Sequence, residues 1–323
     1  MNSYHGVYAP PKGREKVTEF MSSGIKEILG SEMVVDVDHR ALARRIVADL
    51  KERRSNINRI VCEVDFRQYG LYNRRIPKRN TGRRSRMAVV IREDMEQYMR
   101  ELREWLEQEK DTPLEEMAGF FQRRIGSYEE RMQTWREAYA RIPGWIDRDT
   151  KRMLDLGCGT GLELESIFSK YPHIQVTGID LCSTMLERLR HKYREKDINL
   201  VCGDYFQESF GESCYDMVIS FESLHHFLPG KKRLLFEKIR AALKPGGRFL
   251  EADYIACCEE EENLLRRECE RKRKAGGISE EQFVHFDIPL TLEHETELLL
   301  QAGFSKVNVP DSIEGATFIE AVR

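Results

Sequence analysis

Residues 153–161 read Met-Leu-Asp-Leu-Gly-Cys-Gly-Thr-Gly, and this stretch decides the fold. An apolar run that contains one acid leads into glycines at alternate positions, Gly157, Gly159 and Gly161, and a helical pattern follows. Because glycine has no Cβ, the backbone can turn sharply here and a ligand can lie close against it. The turn also presents the free N–H groups of the next helix N-terminus to that ligand.

The acid that follows the next apolar run strengthens this interpretation. Asp180 comes directly after residues 174–179, at the predicted tip of the second strand of a strand–helix–strand unit. An acid at that tip is placed to hydrogen-bond ribose hydroxyls. The loop and the acid together predict a site for a nucleoside-type cofactor. A dinucleotide fingerprint is disfavoured, because it has a third glycine where this chain has Leu162.

The pattern Gly-x-Gly-x-Gly preceded by Asp155 resembles the first motif of the class I S-adenosylmethionine-dependent methyltransferases. Further motifs of that family recur in order from about residue 113 to the C-terminus. The resemblance implies that the loop wraps the methionine end of S-adenosyl-L-methionine and that Asp180 holds its ribose. A loop of the same shape that binds NAD, or nothing, is the less favoured alternative.

The composition excludes some classes of protein. The chain has 323 residues with 52 basic and 55 acidic side chains, so its mean charge carries little information and its length allows two domains. It contains no apolar run of the ~18 residues that a membrane span needs, and no signal-peptide pattern near residue 1. The eight cysteines show no CxxC pair and no zinc spacing. These features predict a cytoplasmic protein with reduced thiols, no bound metal and no membrane partner.

Residues 1–111 are predicted to form a small α+β domain of unknown role. Helical patterns over 16–29 and 39–54 precede two strand patterns, and a helix follows from about Met95. Residues 67–86, between the strand patterns, carry eight basic side chains, two tyrosines and no acid. Such a segment can bind a polyanion, but we favour a solvated hairpin loop.

Residues 112–323 are predicted to form the cofactor-binding domain. A helical pattern over 113–146 precedes strands that alternate with helices, which indicates a doubly wound, mostly parallel sheet with helices on both faces. The last two strands are too close for a crossover helix and must form an antiparallel hairpin. The methyltransferase resemblance implies seven strands that end in such a hairpin. The predicted strands cover residues 151–157, 174–180, 197–202, 214–220, 246–254, 304–309 and 316–322, and the predicted helices lie near 160–171, 183–195, 230–243 and 291–302.

The residues that follow each strand are the predicted site, because ligands bind beyond the carboxyl ends of the strands where the strand order reverses. Asp204 can accept a hydrogen bond from the adenine amine, as the corresponding acid does in the family it resembles, and a turn or cap role is its less favoured alternative. Tyr205 or Phe206 can border the ring. The resemblance implies that Tyr128 closes over the cofactor, and a core aromatic on an amphipathic helix is the alternative. The predicted cofactor-binding set is Tyr128, Asp155, Gly157, Cys158, Gly159, Gly161, Asp180, Leu181, Asp204, Tyr205 and Ser220.

The methyl donor and acceptor are expected to meet after the fourth strand. There the chain has Ser-Phe-Glu-Ser-Leu-His-His-Phe, residues 220–227, and it supplies two candidate catalytic residues, Glu222 and His225. Tyr254, after the fifth strand, is the third candidate. Imidazole titrates near neutral pH and can act as a base. A similar Leu-His-His element occurs in relatives with different acceptors, which favours a structural role in shaping the loop.

The insertion over about 256–290 is the predicted substrate cap. Its first half is too polar for a core helix and is predicted to be a solvated helix. Its second half is more apolar and contains His285 and Asp287. These two residues are candidates for contact with the acceptor, and packing of a lid on the domain is the favoured alternative for each.

The sequence thus predicts a methyltransferase that uses S-adenosyl-L-methionine. The sulfonium is already activated, so the protein must chiefly align the acceptor and exclude water, and it needs a base only for a protonated acceptor. We favour a small-molecule acceptor. The alternatives are an enzyme that methylates a nucleic acid delivered by residues 67–86, and a non-catalytic cofactor-binding module. An oligomer is compatible with each of these functions. The resemblance extends to enzymes with a carboxylated cofactor, but no distinct basic residue in a motif supports that use here.

Overall fold

The computed structural model describes residue 92, residues 94–313 and residues 315–323. The predicted basic segment 67–86 and the other elements predicted before residue 92 lie outside these residues. Helix α1 (Met95–Gln108) begins the described structure, and it confirms the helix that the periodicity predicted there. The boundary at residues 111 and 112 stays a prediction. Every helix in the described part of the chain is too short or too polar to span a bilayer.

Short helical turns replace the long helical pattern predicted over 113–146. Gly126 and the pair Pro143–Gly144 interrupt that pattern, since glycine weakens a helix and proline lacks an N–H group. The elements are strand β1 (Glu115–Glu116), helices α2 (Met117–Arg124), α3 (Tyr128–Arg131) and α4 (Arg136–Arg141), and 3₁₀ turns at Ile125–Ser127, Met132–Trp135 and Ile142–Gly144.

Seven strands form the central sheet, in the spatial order β4–β3–β2–β5–β6–β9–β8. Neighbouring strands are parallel except that β9 pairs antiparallel with both β6 and β8. The predicted doubly wound sheet and its C-terminal antiparallel hairpin are thereby confirmed. The strands are β2 (Arg152–Leu156), β3 (Gln175–Asp180), β4 (Ile198–Cys202), β5 (Tyr215–Phe221), β6 (Leu243–Tyr254), β8 (Lys306–Ile313) and β9 (Ala316–Val322).

The connections between these strands are mostly helical, as predicted. The strand order reverses between β2 and β5, so the carboxyl ends of these strands flank the expected ligand crevice. Strand β8 extends further than predicted, and its register shifts between Asn308 and Asp311, where Pro310 cannot donate to the ladder. The helices are α5 (Leu162–Lys170), α6 (Ser183–Lys192), α7 (Pro229–Ala242), α8 (Glu259–Gly276) and α9 (Leu292–Gln301).

Helix α8, in the first half of the insertion, is not simply solvated, and here the sequence-based prediction is wrong. Its charged residues Glu261 and Lys272 are buried. Glu261 accepts hydrogen bonds from the hydroxyl of Tyr98 on α1 and from the hydroxyl of Tyr254 on β6. Lys272 Nζ donates to the backbone oxygen of Thr112 at 2.7 Å. Polar side chains with such partners can be buried, which hydropathy alone does not reveal.

The second half of the insertion is anchored on both sides of the expected crevice. Strand β7 (Val284–His285) pairs antiparallel with β1, so the insertion is joined to the segment that precedes the sheet. The backbone N–H of Ile288 donates to the carbonyl oxygen of His225 at 2.8 Å. The end of the insertion therefore lies against the loop that follows β5.

A buried charged group joins the sheet to two helices. Lys232 of α7 is 1% exposed, and its Nζ lies 2.7 Å from Glu295 Oε2 on α9 and 3.5 Å from Glu251 Oε1 on β6. Burial alone would lower the pKa of Lys232, but the carboxyl groups of Glu295 and Glu251 outweigh it and raise the pKa. Burial and the charge of Glu295 raise the pKa of Glu251 well above its usual range. One ammonium group thus compensates the charge of this acidic pair.

Replacement of Lys232 by methionine is expected to destabilise the fold by about 3–5 kcal/mol, because the carboxyl groups of Glu295 and Glu251 would lose their buried cation. Denaturant unfolding measures this loss. Lys231→Met is the matched control, since Lys231 is only half-buried and donates to the backbone oxygen of Glu280. The control should change the free energy of unfolding by no more than about 1 kcal/mol. Equal effects of the two variants would contradict the assignment.

Candidate active site

The glycine loop after β2 has the backbone conformation that its sequence predicts. Gly157, Gly159 and Gly161 have φ angles of 74°, 47° and 69°, in the left-handed region that favours glycine. A Cβ on Gly157 would lie 2.2 Å from Ser223 Oγ and 2.6 Å from the hydroxyl oxygen of Tyr205. The backbone at Gly157 therefore passes directly beside the loop after β5, with no room for a side chain.

Asp180 at the end of β3 holds this loop in place. Its Oδ2 accepts a hydrogen bond from Gly159 N at 2.9 Å, and its Oδ1 accepts one from Cys182 N at 2.8 Å. Burial raises the pKa of Asp180, and these two N–H donors only partly oppose the shift. Each carboxylate oxygen has a second lone pair, which leaves capacity for further donors such as hydroxyl groups.

A cleft of about 640 Å³, open to solvent, lies beside the loop. Eight residues of the sequence-based set line it, namely Tyr128, Gly157, Gly159, Asp180, Leu181, Asp204, Tyr205 and Glu222. Ten further residues share the lining, namely Met117, Ala118, Phe121, Cys182, Met185, Gly203, Phe221, Ser223, His226 and Phe283. The rule that ligands bind beyond strand ends could have identified the lining residues that neighbour a predicted site residue in the sequence. The contributions of α2 and of Phe283 depend on tertiary packing.

Six predicted site residues do not line this cleft, namely Asp155, Cys158, Gly161, Ser220, His225 and Tyr254. Alternate side chains of a strand point to opposite faces, so proximity to a strand end is not sufficient. Ser220 Oγ donates to the backbone oxygen of Leu156 at 3.1 Å. The Tyr254 hydroxyl bonds with Tyr98 and Glu261 instead of facing the cleft.

Two buried acids lie behind the glycine loop. Asp155 is 1% exposed and Glu163, in the first turn of α5, is 6% exposed. Burial and the charge of Glu163 raise the pKa of Asp155 well above its usual range. Burial also raises the pKa of Glu163, to about 7. The pair therefore binds protons near neutral pH that solvated carboxylates would release.

Asp204 lies in a turn at the rim of the cleft. Its Oδ1 accepts a hydrogen bond from the backbone N–H of Phe206 at 2.9 Å. The neighbouring Tyr205 hydroxyl is 2.9 Å from Ser223 Oγ, which fixes the ring against the glycine loop. Asp204 thus has the turn role that the sequence left as an alternative, and it also faces the cleft.

Glu222 combines an unusual backbone with a buried side chain. It is a non-glycine residue with a φ of 48°, and such conformations concentrate at functional sites. Its side chain is 9% exposed, and among the described residues no donor reaches Oε1. Burial, more than the neighbouring charges, raises the pKa of Glu222 well above its usual range.

The two histidines after β5 lie between the sheet and the insertion. His225 Nδ1 is 2.5 Å from Asp253 Oδ1 on β6, and His225 Nε2 is 3.5 Å from Asp287 Oδ1 on the insertion. His226 Nδ1 is 3.3 Å from the same Asp287 oxygen. Burial alone would lower the pKa of His225, but Asp253 and Asp287 raise it well above the usual range. Burial and the charge of His225 lower the pKa of His226.

The charge of the cleft wall is one-sided. Asp180 and Asp204 contribute carboxylates, and Glu222 contributes a carboxyl group whose raised pKa favours the neutral form. None of the lining side chains identified in the described structure is a lysine or arginine. An acidic, partly enclosed wall attracts a cationic ligand more than an anionic one.

Gly157→Ala is expected to lower the free energy of unfolding by at least about 1–2 kcal/mol, the cost of a left-handed non-glycine residue. The overlap with Ser223 and Tyr205 adds to that cost. Thermal or denaturant unfolding measures the change. Gly126→Ala is the control, because a Cβ there meets no atom within 4 Å. A Gly157→Ala protein as stable as the control would refute the close approach.

Glu163→Gln is expected to flatten the pH dependence of stability. With its pKa raised to about 7, Glu163 keeps a proton in the folded state that the unfolded chain releases near pH 4.5. This contribution is complete at low pH and is lost as pH rises through about 7. In the Glu163→Gln protein, the slope of the unfolding free energy against pH should therefore be smaller by up to about 1.4 kcal/mol per pH unit. Unfolding titrations between pH 5 and pH 8 measure it. The exposed Glu165→Gln, on the same helix, should retain the wild-type slope.

Comparison with known proteins finds a family match over part of the chain. Residues 153–247 match a family described as "Methyltransferase domain". This segment begins in β2 and ends in β6, and it includes the glycine loop, Asp180 and the loop after β5.

Three relatives illustrate the range of reactions. A carboxy-S-adenosyl-L-methionine synthase of Chromohalobacter salexigens is 27% identical over 220 residues, which cover 61% of this chain and 81% of that protein. A malonyl-[acyl-carrier protein] O-methyltransferase of Priestia megaterium is 35% identical over 104 residues, or 30% of this chain and 35% of the relative. A sterol 24-C-methyltransferase of Gibberella zeae is 32% identical over 138 residues, which cover 41% of this chain and 35% of that protein.

These relatives differ in the reactions that their names state, so likeness alone does not identify the acceptor. The chain spans only about a third of the length of the second and third relatives. The family match over residues 153–247 includes the glycine loop and the acid after β3. By its sheet order, this loop and the domain matched over residues 153–247, the chain is similar to the class I S-adenosylmethionine-dependent methyltransferases.

Proposed function

We propose that the chain transfers a methyl group from S-adenosyl-L-methionine to a small molecule bound under the insertion. The observation that supports this most directly is the cleft, which has the glycine loop on one side and Phe121 and Phe283 on another. Phe283 belongs to the insertion and Phe121 to α2. An apolar wall beside a few convergent polar groups is typical of small-molecule sites.

The cofactor fits the residues on the loop side of the cleft. The absence of a side chain at Gly159 keeps space open beside the loop, since a Cβ there would lie 3.2 Å from the Tyr128 hydroxyl. In the proposal Asp180 accepts hydrogen bonds from the ribose hydroxyls through its remaining lone pairs. Asp204 faces the adenine amine. When bound, the cofactor supplies a methyl group on a positively charged sulfur.

The acidic wall favours this cationic cofactor over a carboxylated one. An added carboxylate would need a cationic partner, and the lining residues of the described cleft include no lysine or arginine. The likeness to a carboxy-S-adenosyl-L-methionine synthase is therefore weak support for that chemistry here. Methyl transfer is the reaction that this wall fits better.

Glu222 is the candidate catalytic residue that faces the acceptor. Of the three residues that the sequence suggested, it alone lines the cleft, since His225 lies behind it and Tyr254 bonds to Glu261. The buried Glu222 Oε1 can accept a hydrogen bond from an acceptor O–H or N–H group and so orient the reacting atom. In the proposal the aromatic lining residues Phe121, Phe221 and Phe283 exclude water once both ligands are bound, which is the main requirement for an activated methyl donor.

A nucleic-acid acceptor is the second candidate, and it is supported by the basic segment 67–86 alone. Phosphate binding requires cationic contacts. The cleft wall offers carboxylates instead, which opposes a phosphate backbone at the transfer site. This contrast favours the small-molecule acceptor.

Asp180→Ala is expected to weaken the binding of S-adenosylhomocysteine by about 10- to 150-fold, because the charge-assisted hydrogen bonds to ribose and the tie to Gly159 N are both lost. Calorimetry measures the affinity. Asp197→Ala is the control, since Asp197 lies at the amino end of β4 and bonds to Gln175. Wild-type affinity in a folded Asp180→Ala protein would refute the cofactor assignment.

The acceptor class is tested with cofactor labelled on its methyl group. The full chain is incubated with a fractionated small-molecule extract and, separately, with total RNA. Label in a small molecule that disappears in Asp180→Ala supports the proposal. Label in RNA, lost when Arg74, Arg75, Arg83 and Arg84 are replaced by serine, would assign the chain to the nucleic-acid alternative.

A further inference from the structure

The cluster of His225, His226 and Asp287 has the composition of a metal site. Two imidazoles and one carboxylate contribute one ligating atom each, and within the described residues these atoms lie within 4.8 Å of one another. Two histidines and one carboxylate form a common ligand set for divalent transition metals, with further positions open to water or substrate. We propose that these three residues bind a divalent transition-metal ion such as Zn²⁺, where the insertion meets the loop after β5.

Two of the three separations between the ligand atoms fit ligands that share one ion. Nitrogen and oxygen ligands at 2.0–2.1 Å from a tetrahedral ion lie about 3.3–3.4 Å apart. Asp287 Oδ1 is 3.5 Å from His225 Nε2 and 3.3 Å from His226 Nδ1. An octahedral Mg²⁺ would bring adjacent ligands to about 2.9 Å, and it prefers oxygen ligands. The geometry and the ligand types thus favour an ion like Zn²⁺.

The alternative is a hydrogen-bonded cluster with no ion. In that arrangement a protonated His225 would donate to Asp253 and to Asp287. However, Asp287 Oδ1 has no partner with hydrogen-bonding geometry among the described residues, although it is buried between two imidazoles. A polar atom in that position is expected to have a partner, and an ion shared by three ligands supplies it.

The surrounding residues orient the ligands as in known metal sites. A histidine ligand usually donates its other ring N–H to a carboxylate or a carbonyl oxygen, which fixes its tautomer. Asp253 Oδ1 lies 2.5 Å from His225 Nδ1, and this bond leaves Nε2 directed to Asp287. Without an ion, His226 Nδ1–H donates to the backbone oxygen of Phe286 at 3.2 Å, so an ion bound at this nitrogen would replace that proton.

A second group of potential ligands, Glu222, His225 and Asp253, fits an ion less well. His225 Nδ1 and Asp253 Oδ1 are only 2.5 Å apart, which is a direct hydrogen bond and too short for two ligands of one ion. Asp253 is therefore assigned to orient His225, and the ion is assigned to the other side of the imidazole.

The location suggests what the ion contributes. His226 lines the cleft, so an open coordination position would face the acceptor end. A bound divalent ion lowers the pKa of a coordinated hydroxyl and orients it. This role rests on the proposed function, whereas the binding site itself does not. The sequence showed no metal pattern, because the ligands come from two distant segments.

Metal binding is tested on the full chain, stripped with a chelator, in the absence of cofactor and acceptor. Titration with Zn²⁺ followed by calorimetry, and with Co²⁺ followed by its visible absorption, should show one ion per chain. Asp287→Asn and His226→Gln should each abolish stoichiometric binding. Asp253→Asn should weaken it by about 10- to 100-fold through the orientation of His225.

His285→Asn is the matched control. His285 is two residues from Asp287, and its ring lies 5.0 Å from that of His226, but it stacks on Phe120 instead of facing the cluster. It should bind metal like the wild type. Circular dichroism confirms that each variant is folded, and two separate ligand variants keep the test valid if one is unstable.

The outcomes separate this proposal from the proposed function. A wild-type chain that takes up no Zn²⁺ or Co²⁺, or a folded Asp287→Asn or His226→Gln protein that binds as well as the wild type, would overturn the metal site. Loss of binding in His285→Asn would overturn the ligand assignment. Ion binding with the expected variant pattern supports the site even if no methyl acceptor is found, because neither titration uses the cofactor.

Discussion

The hydrogen bonds that the backbone N–H groups of Gly159 and Cys182 donate to the Asp180 carboxylate are the constraint on which the site depends. They tie the glycine loop after β2 to the tip of β3 and to the start of α6. The loop can approach this closely because its glycines adopt left-handed backbone angles. The same carboxylate faces the cleft, so one residue both shapes the loop and, in our proposal, contacts the cofactor.

Buried charge extends from this region through the sheet to the insertion. Strand β6 places Glu251 and Asp253 on one face, where Glu251 lies beside Lys232 and Asp253 bonds to His225. Such groups are costly to desolvate, and each is stabilised only by the partner that tertiary packing brings to it. Because His225 in turn approaches Asp287, the position of the insertion is coupled to that of the sheet.

The insertion shows how a polar segment can complete a fold. Helix α8 buries Leu265 against the apolar face of α1, and its buried Glu261 accepts bonds from two tyrosine hydroxyls. Strand β7 then pairs with β1 and brings Phe283 to the cleft. The cleft is thus lined by segments that lie on both sides of the glycine loop in the sequence.

The sequence by itself determined the doubly wound sheet, its C-terminal hairpin and the positions of the glycine loop and Asp180. These follow from local periodicity and from glycine stereochemistry, which act within a few residues. Only the tertiary structure decided which residues after a strand face the cleft. Asp155, Ser220 and Tyr254 turn away from it, because strand alternation and available partners direct side chains. The cluster of His226 and Asp287 likewise arises where the chain returns to the sheet, a long-range contact that no local pattern encodes.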